Sequence, residues 1–231
     1  MKVLSKSVWV LILLSWIGAD SKASDLLLSR LPNTSDLAQG LRSDQHYEAP
    51  GFPLQQATDR FSLETSSIIT GISWWGFYLP AGTLAVPQQC QFRIRMFGDQ
   101  EGRPSLSPAY DTTVFASVSP FMTVQGHPTY TFSALLPVPF EAEMQTGYWF
   151  GVSECDFRTD GAFDWFNSGP AHWPIGCASR ASDGDGWVVA ENAERMSFTL
   201  VGSVVPEPSG QAVLVLGAVI SLVLRWLRRL R

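Results

Sequence analysis

Four tryptophans have the residue type and spacing that sugar recognition requires. Trp74 and Trp75 stand side by side in an apolar run, and Trp149 and Trp165 fall in two consecutive β-rich segments. An exposed row of such rings on a sheet stacks against sugar rings, while Asp, Asn or Arg at the rim bond the hydroxyls. The same rings can instead fill a core, since each buries about 150–250 Å². Adjacent Trp74 and Trp75 cannot both face inward on a regular strand, so one points outward or packs under a loop.

Carboxylates form the second group. Asp183-Gly184-Asp185-Gly186 and Asp99-Gln100-Glu101-Gly102 set hard oxygens on glycine-containing turns, and Asp156, Asp160 and Asp164 recur every fourth residue. Calcium takes six to eight oxygen ligands, which makes Asp183 and Asp185 a candidate calcium site and calcium the one candidate cofactor. The EF-hand start is incomplete there, and Asp-Gly pairs also make plain tight turns. Glycoside hydrolysis needs two carboxylates across a cleft, and the sequence singles out no pair. His46, His127 and His172 share no ligand spacing. Neither a nucleophile elbow, a zinc-protease helix motif nor a phosphate loop is present, so a non-enzyme is expected.

Cys90, Cys155 and Cys177 make one pair and one leftover the simplest outcome in an oxidising compartment. Cys90 alternates in register with Phe92, Ile94 and Met96 and reads as a core thiol. Cys155 ends a predicted strand and Cys177 lies in a loop-rich stretch. A Cys155–Cys177 disulfide is therefore expected, although connectivity is not readable from sequence alone.

The elements that must position these groups are short and β-rich. Candidate strands span 59–64, 68–78, 90–97, 112–119, 129–136, 147–154, 162–167, 187–190 and 195–202. Several alternate with period two, the mark of a sheet with one buried face. Nine short strands without helical periodicity predict an all-β antiparallel sandwich over 56–203, jelly-roll-like. Residues 24–55 lack a sustained period and read as a linker, with one short helix at 36–41. Charged residues are 16% and aromatics 12% of the 231-residue chain, which argues against extended disorder. Residues 24–205 hold nine Arg, no Lys and nineteen Asp and Glu, a net charge of −10 that repels phosphate backbones and excludes a nucleic-acid partner.

Both ends read as addresses. Lys2 and Lys6, a ten-residue apolar run at 8–17 and the small residues Ser21 and Ala23 form the tripartite layout of a secretory signal peptide over 1–23. The run is too short for a bilayer, which takes about 20 residues. At the other end, Pro206-Glu207-Pro208 precedes a thirteen-residue apolar stretch at 212–224 and then Arg225, Arg228, Arg229 and Arg231. Such a helix tips its arginines toward the cytoplasm.

This order of triplet, short apolar helix and terminal arginines over 204–231 resembles the PEP-CTERM sorting signal of bacterial exported proteins. The resemblance implies a Gram-negative-type host that makes exopolysaccharide. It also implies recognition of the tail by an exosortase, a membrane cysteine protease-transpeptidase, with the tail removed or serving as a temporary anchor. Residues 56–203 are loosely similar to domains common in such proteins, through Asp59-Arg60-Phe61-Ser62-Leu63, Ile69 to Gly76, Phe92 to Asp99, Tyr148 to Val152 and Phe163-Asp164-Trp165. Those domains are jelly-roll-like and mostly without assigned activity. The cysteines at 155 and 177 depart from the pattern. The expected function is that of an exported, non-catalytic surface or matrix protein of the exopolysaccharide layer or biofilm, contacting polysaccharide. It would cross the inner membrane, be held transiently by its C-terminal helix, and end at the cell surface or outside. A secreted carbohydrate-active hydrolase is the alternative. A purely structural surface protein is the second alternative, and it predicts that all six tryptophans of 24–205 are buried.

Overall fold

Period-two alternation places each candidate strand in a real one. The computed structural model describes residues 24–34, 40–44, 55–79, 89–124, 126–155, 161–169, 175–191 and 195–206. Fourteen strands run through them: β1 (Asp25–Arg30), β2 (Gly40–Arg42), β3 (Gln56–Phe61), β4 (Ser67–Leu79), β5 (Gln89–Gln100), β6 (Arg103–Pro104) and β7 (Tyr110–Val124). Then come β8 (His127–Ala142), β9 (Tyr148–Glu154), β10 (Ala162–Gly169), β11 (Ile175–Arg180), β12 (Val188–Glu191), β13 (Arg195–Met196) and β14 (Phe198–Val204). None of the described residues is helical. The protein is all-β, and its named strands pair antiparallel throughout. The signal peptide, Glu207, Pro208 and the C-terminal apolar stretch lie outside the described residues.

The main path of the sheet is β1-β14-β4-β8-β7-β5-β9-β3-β11-β12. It curls until it meets itself. β14 pairs β4 along Ser67 to Trp74, and β10 takes over the same edge from Gly76 to Leu79. The far edge of β10 pairs β2. The chain following β2 then stitches across: Ser43 N donates to Phe163 O, Glu154 N donates to Ser43 O, and Asp44 exchanges backbone hydrogen bonds with Gln55. The circuit β4-β8-β7-β5-β9-β10-β4 is thereby closed through residues 43 and 44. This closure leaves the short strands β1 and β12 at the ends of the path, and short edges limit intermolecular pairing.

Inside lies one large aromatic core. Cys90, Phe92, Ile94 and Met96 of β5 point into it, as their alternation predicts. Phe92 is 5.0 Å from the rings of Trp74, Phe132 and Phe163, and Phe150 is 4.9 Å from Phe198. Burying each such ring contributes roughly 1.5–3 kcal/mol. The opposite face of β5 departs from the one-buried-face expectation. Gln91 and Arg93 are partly exposed there, but Arg95 and Phe97 are buried, because the turn at 181–187 lies across them.

The linker expectation for 24–55 is overturned where the segment is described. β1 pairs β14 as an added edge strand, with Leu27 and Leu28 packed against the core. Leu41 of β2 does the same. The short helix expected at 36–41 is also corrected, since Gly40 and Leu41 are extended and paired with β10; residues 35–39 lie outside the described residues. β6 and β11 likewise lie outside the nine candidate strands.

Candidate functional site

The four tryptophans do not make a platform. Trp74 and Trp75 point opposite ways, as adjacent strand residues must, yet both are buried. Trp74 enters the main core, while Trp75 joins Phe77, Val124 and Phe166 in a second cluster. Trp149 belongs to a third cluster with Phe97, Ala178 and Trp187, and its Nε1 donates to Asp99 Oδ1 at 2.7 Å. Trp165 is in the main core and donates to Ser197 O at 2.8 Å. Outward-facing rings are covered by a second layer, so alternation alone could not show their exposure. Trp187 is buried too, and Trp173 lies outside the described residues.

The calcium expectation at Asp183 and Asp185 is also overturned. Asp183 is ringed by cations. Its Oδ1 accepts from Gln56 Nε2 at 2.9 Å, from Arg180 at 2.9 Å and from Arg95, and its Oδ2 accepts from Arg93 at 3.1 Å. Three guanidinium groups around one carboxylate repel a divalent ion. Partial desolvation works against ionisation, yet the hydrogen bonds from Gln56 and Arg95 and the charges of Arg95 and Arg93 hold the Asp183 carboxyl down at about 2. Asp185 turns away and accepts from Ser182 Oγ. The second acidic turn is equally committed: Asp99 is held by both Arg60 Nε and Nη2 at 3.1 Å. Asp156 and Asp160 lie outside the described residues.

The Cys155–Cys177 disulfide does not form, and all three cysteines are thiols. The register gives the reason. Cys177 on β11 sits opposite Asp59 of β3, and Asp59 sits opposite Phe150 of β9. Cys155 is five residues beyond Phe150, and its N–H donates to Gln91 O on the other side. Strand β3 thus stands between them, about 10 Å across and 16 Å along, whereas a disulfide needs Cα atoms within about 7 Å. Burial, aided by nearby Asp59, pushes the Cys177 thiol up to about 12, which removes it as a nucleophile.

Two buried ion pairs tie the N-terminal strands to the core, and neither is legible in the sequence. Arg30 of β1 meets Asp59 at 2.9 Å, lies 5.0 Å over the Phe198 ring and donates to Arg60 O. Arg42 of β2 meets Asp164 at 3.5 Å. Burial raises the Asp59 carboxyl to about 6 against the opposing charge of Arg30. It raises Asp164 to about 6 against that of Arg42. Deeper in, Tyr78 Oη donates to Glu154 Oε1 at 2.7 Å beside Cys90. Burial and the nearby Glu154 charge raise the Tyr78 hydroxyl well above its ordinary value.

An open surface of another kind lies on the outer face of β7-β8-β4-β14. A shallow groove of about 490 Å³ is floored by Gly71, Ser73, Ser117 and Ser133 and edged by Phe115, Leu135 and Val201. Phe115 is 68% and Leu135 80% exposed. The registers align Ser117, Ser133, Ser73, Thr199 and Ser29 in one row across five strands. Ser73 and Ser133 hydroxyls are 2.8 Å apart, those of Ser29 and Thr199 3.2 Å. Beside this row run Leu135, Gly71, Val201 and Leu26. A strip of hydroxyls alongside a strip of exposed apolar groups can meet a surface that is itself half polar and half apolar. The serines alternate openly in the sequence, but their alignment depends on pairings between distant strands.

No family model matches this chain, and neither a curated protein nor a solved structure matches it.

Proposed function

We propose that this is an exported, non-catalytic protein of the bacterial surface or extracellular matrix, processed at a PEP-CTERM tail by an exosortase. It works within an exopolysaccharide layer, and its outer-face groove makes the polysaccharide contact. The observation that carries the contact is the parallel pairing of the Ser117–Ser133–Ser73–Thr199–Ser29 row with the exposed apolar strip of Leu135, Val201 and Leu26, edged by Phe115. Sugar rings carry hydroxyls at their edges and an apolar C–H face, which suits such a strip. The non-catalytic reading is supported by the commitment of the acidic groups. Asp59, Asp99, Asp111, Asp164 and Asp183 are each held by arginine. The export reading rests on the sequence features of residues 1–23 and 206–231. The fold is read as a jelly-roll-like sandwich, supported by two overlapping Greek-key crossings: β4 lies beside β8, and β9 beside β5.

The test is affinity electrophoresis of the full-length protein, in mild detergent, through gels containing the producing organism's exopolysaccharide. Retardation is expected, and Phe115→Ser should abolish most of it. A second reading, the purely structural surface protein, is favoured by the burial of Trp74, Trp75, Trp149, Trp165 and Trp187. Unretarded migration of the native protein would select that reading.

A further inference from the structure

In a segment of net charge −10, three of nine arginines converge on one exposed turn. Arg95 and Arg180 have side chains only 2% and 1% exposed, a costly place for two like charges. Arg180 lies 4.3 Å over the Trp187 ring and 5.4 Å over Phe97, which holds its guanidinium plane in place. Gln56 Oε1 accepts from Arg180 Nε at 2.8 Å, and the Gln56 amide faces the same centre. Arg93 is held from the other side by both oxygens of Asp111. These groups stand on β3, β5, β7 and β11, which the sheet fixes in register. They form a rigid socket for one carboxylate, because planar guanidinium groups match planar carboxylates.

The occupant, by contrast, is on an exposed turn, where Arg180 Nη1 also donates to the Asp183 carbonyl at 3.2 Å. Asp183 is 52% exposed and sits in a turn whose residues 181–186 are all exposed. A Cβ added at Gly186 would touch nothing within 4 Å, and one at Gly184 would meet only Ser182 Oγ at 3.9 Å. Buried, preorganised cations thus face a carboxylate that solvent also reaches.

We propose that Arg93, Arg95, Arg180 and Gln56 form a carboxylate-binding site for acidic sugars, with Asp183 as a built-in, displaceable occupant. The proposal deepens the polysaccharide-contact reading and rests on it for the class of ligand, a uronate-bearing chain, one carboxylate of which the three guanidinium groups attract at short range against the repulsion of the chain's overall negative charge. A tethered carboxylate competes at a millimolar effective concentration. A uronate monosaccharide below that concentration therefore competes poorly with Asp183, whereas a polymer that holds many carboxylates near the socket competes well. The loop that Asp183 leaves would swing outward with its turn.

The experiment compares the native protein with Asp183→Ala, both full-length in mild detergent. The thermal midpoint is followed against sodium glucuronate, with sodium chloride at matched ionic strength. Asp183→Ala should melt several degrees lower than the native protein, and glucuronate alone should restore at least half of that loss, with saturation. The native protein should respond only at monosaccharide concentrations at least tenfold above those that saturate Asp183→Ala. In affinity gels with polygalacturonate, native protein should be retarded and Asp183→Ala retarded at least tenfold more strongly, while Arg93→Gln weakens both. Failure of glucuronate to stabilise Asp183→Ala overturns the proposal and makes the cluster a structural clamp. If Phe115-dependent retardation in neutral polymer persists in that case, the wider reading survives without this site. If Asp183→Ala responds to glucuronate but no polymer retards the native protein, the socket stands and the polysaccharide reading falls.

Discussion

Asp59 and Asp164 carry the clearest consequence of burying charge. Each carboxyl keeps its proton up to about pH 6 in the folded chain, but only to about pH 4 once unfolded. The folded state is therefore the stronger proton binder between those values, and stability falls as pH rises through that window. Two units correspond to up to about 3 kcal/mol per group. Denaturant titrations should accordingly give a more stable protein at pH 4.5 than at pH 7. Asp59→Asn should lower stability overall yet remove its share of the slope, and a slope unchanged by this substitution would show that Asp59 titrates normally. The cysteines give a second expectation at this scale. Alkylation without reductant should modify all three thiols in denaturant. In the native protein Cys90 and Cys177 should resist, because both are buried. A single adduct after denaturing alkylation, on a chain otherwise two hydrogens lighter than the free-thiol form, would restore a disulfide.

At the level of elements, the closure through β10 depends on Gly76. A Cβ there would come within 2.2 Å of the Phe163 ring and 2.8 Å of Asp164 O. The second contact is backbone, so β10 must move away from β4. Gly76→Ala should cost at least the roughly 1–3 kcal/mol of ordinary overpacking. Hydrogen exchange should lose protection at 162–165 while the β7-β8 pair stays protected; uniform protection would show that the sheet absorbs the methyl. The docking of β1 is testable through its counter-ion. Arg30→Met leaves Asp59 buried without its partner, which should cost about 3–5 kcal/mol. A loss under 1 kcal/mol by chemical denaturation would show that water reaches Asp59 instead. These two elements also mark the limit of what the sequence discloses. The candidate strands that alternate are legible because one face meets a large core, as Phe92, Ile94 and Met96 show. β1, β2 and β11 are not, because they are short and their partners lie far along the chain. The arginine socket was hidden for the same reason: Asp183 is near Arg180 in sequence, but Arg93, Arg95 and Gln56 reach it only through the sheet. The burial of Trp75 and Trp149 is not legible either, because a residue on the outward face of a strand is exposed only if nothing covers it.

Taken whole, the described sheet begins and ends within a few residues of the proposed processing addresses. β14 lies between β1 and β4, and Val205 N–H donates to Ser66 O as the last backbone tie before Pro206. The sorting pattern after Pro206 lies outside the described residues. Cleavage after Ala23 would likewise spare β1, which starts at Asp25. Processing at both places should leave the core, the groove and the arginine socket as they are. The expectation has two parts. Mass spectrometry of the protein recovered from the cell surface should give Ser24 or a near neighbour as the first residue and no peptide from 212–231. Its thermal midpoint should match that of unprocessed protein in detergent within about the 1 °C that a few tenths of a kcal/mol produce in a domain of this size. Recovery of the intact arginine-rich end from the surface pool would overturn the processing. A midpoint several degrees lower after processing would show instead that the tail packs on the sheet, and the exposed apolar strip of Leu135 and Val201 would then be the place to look for it.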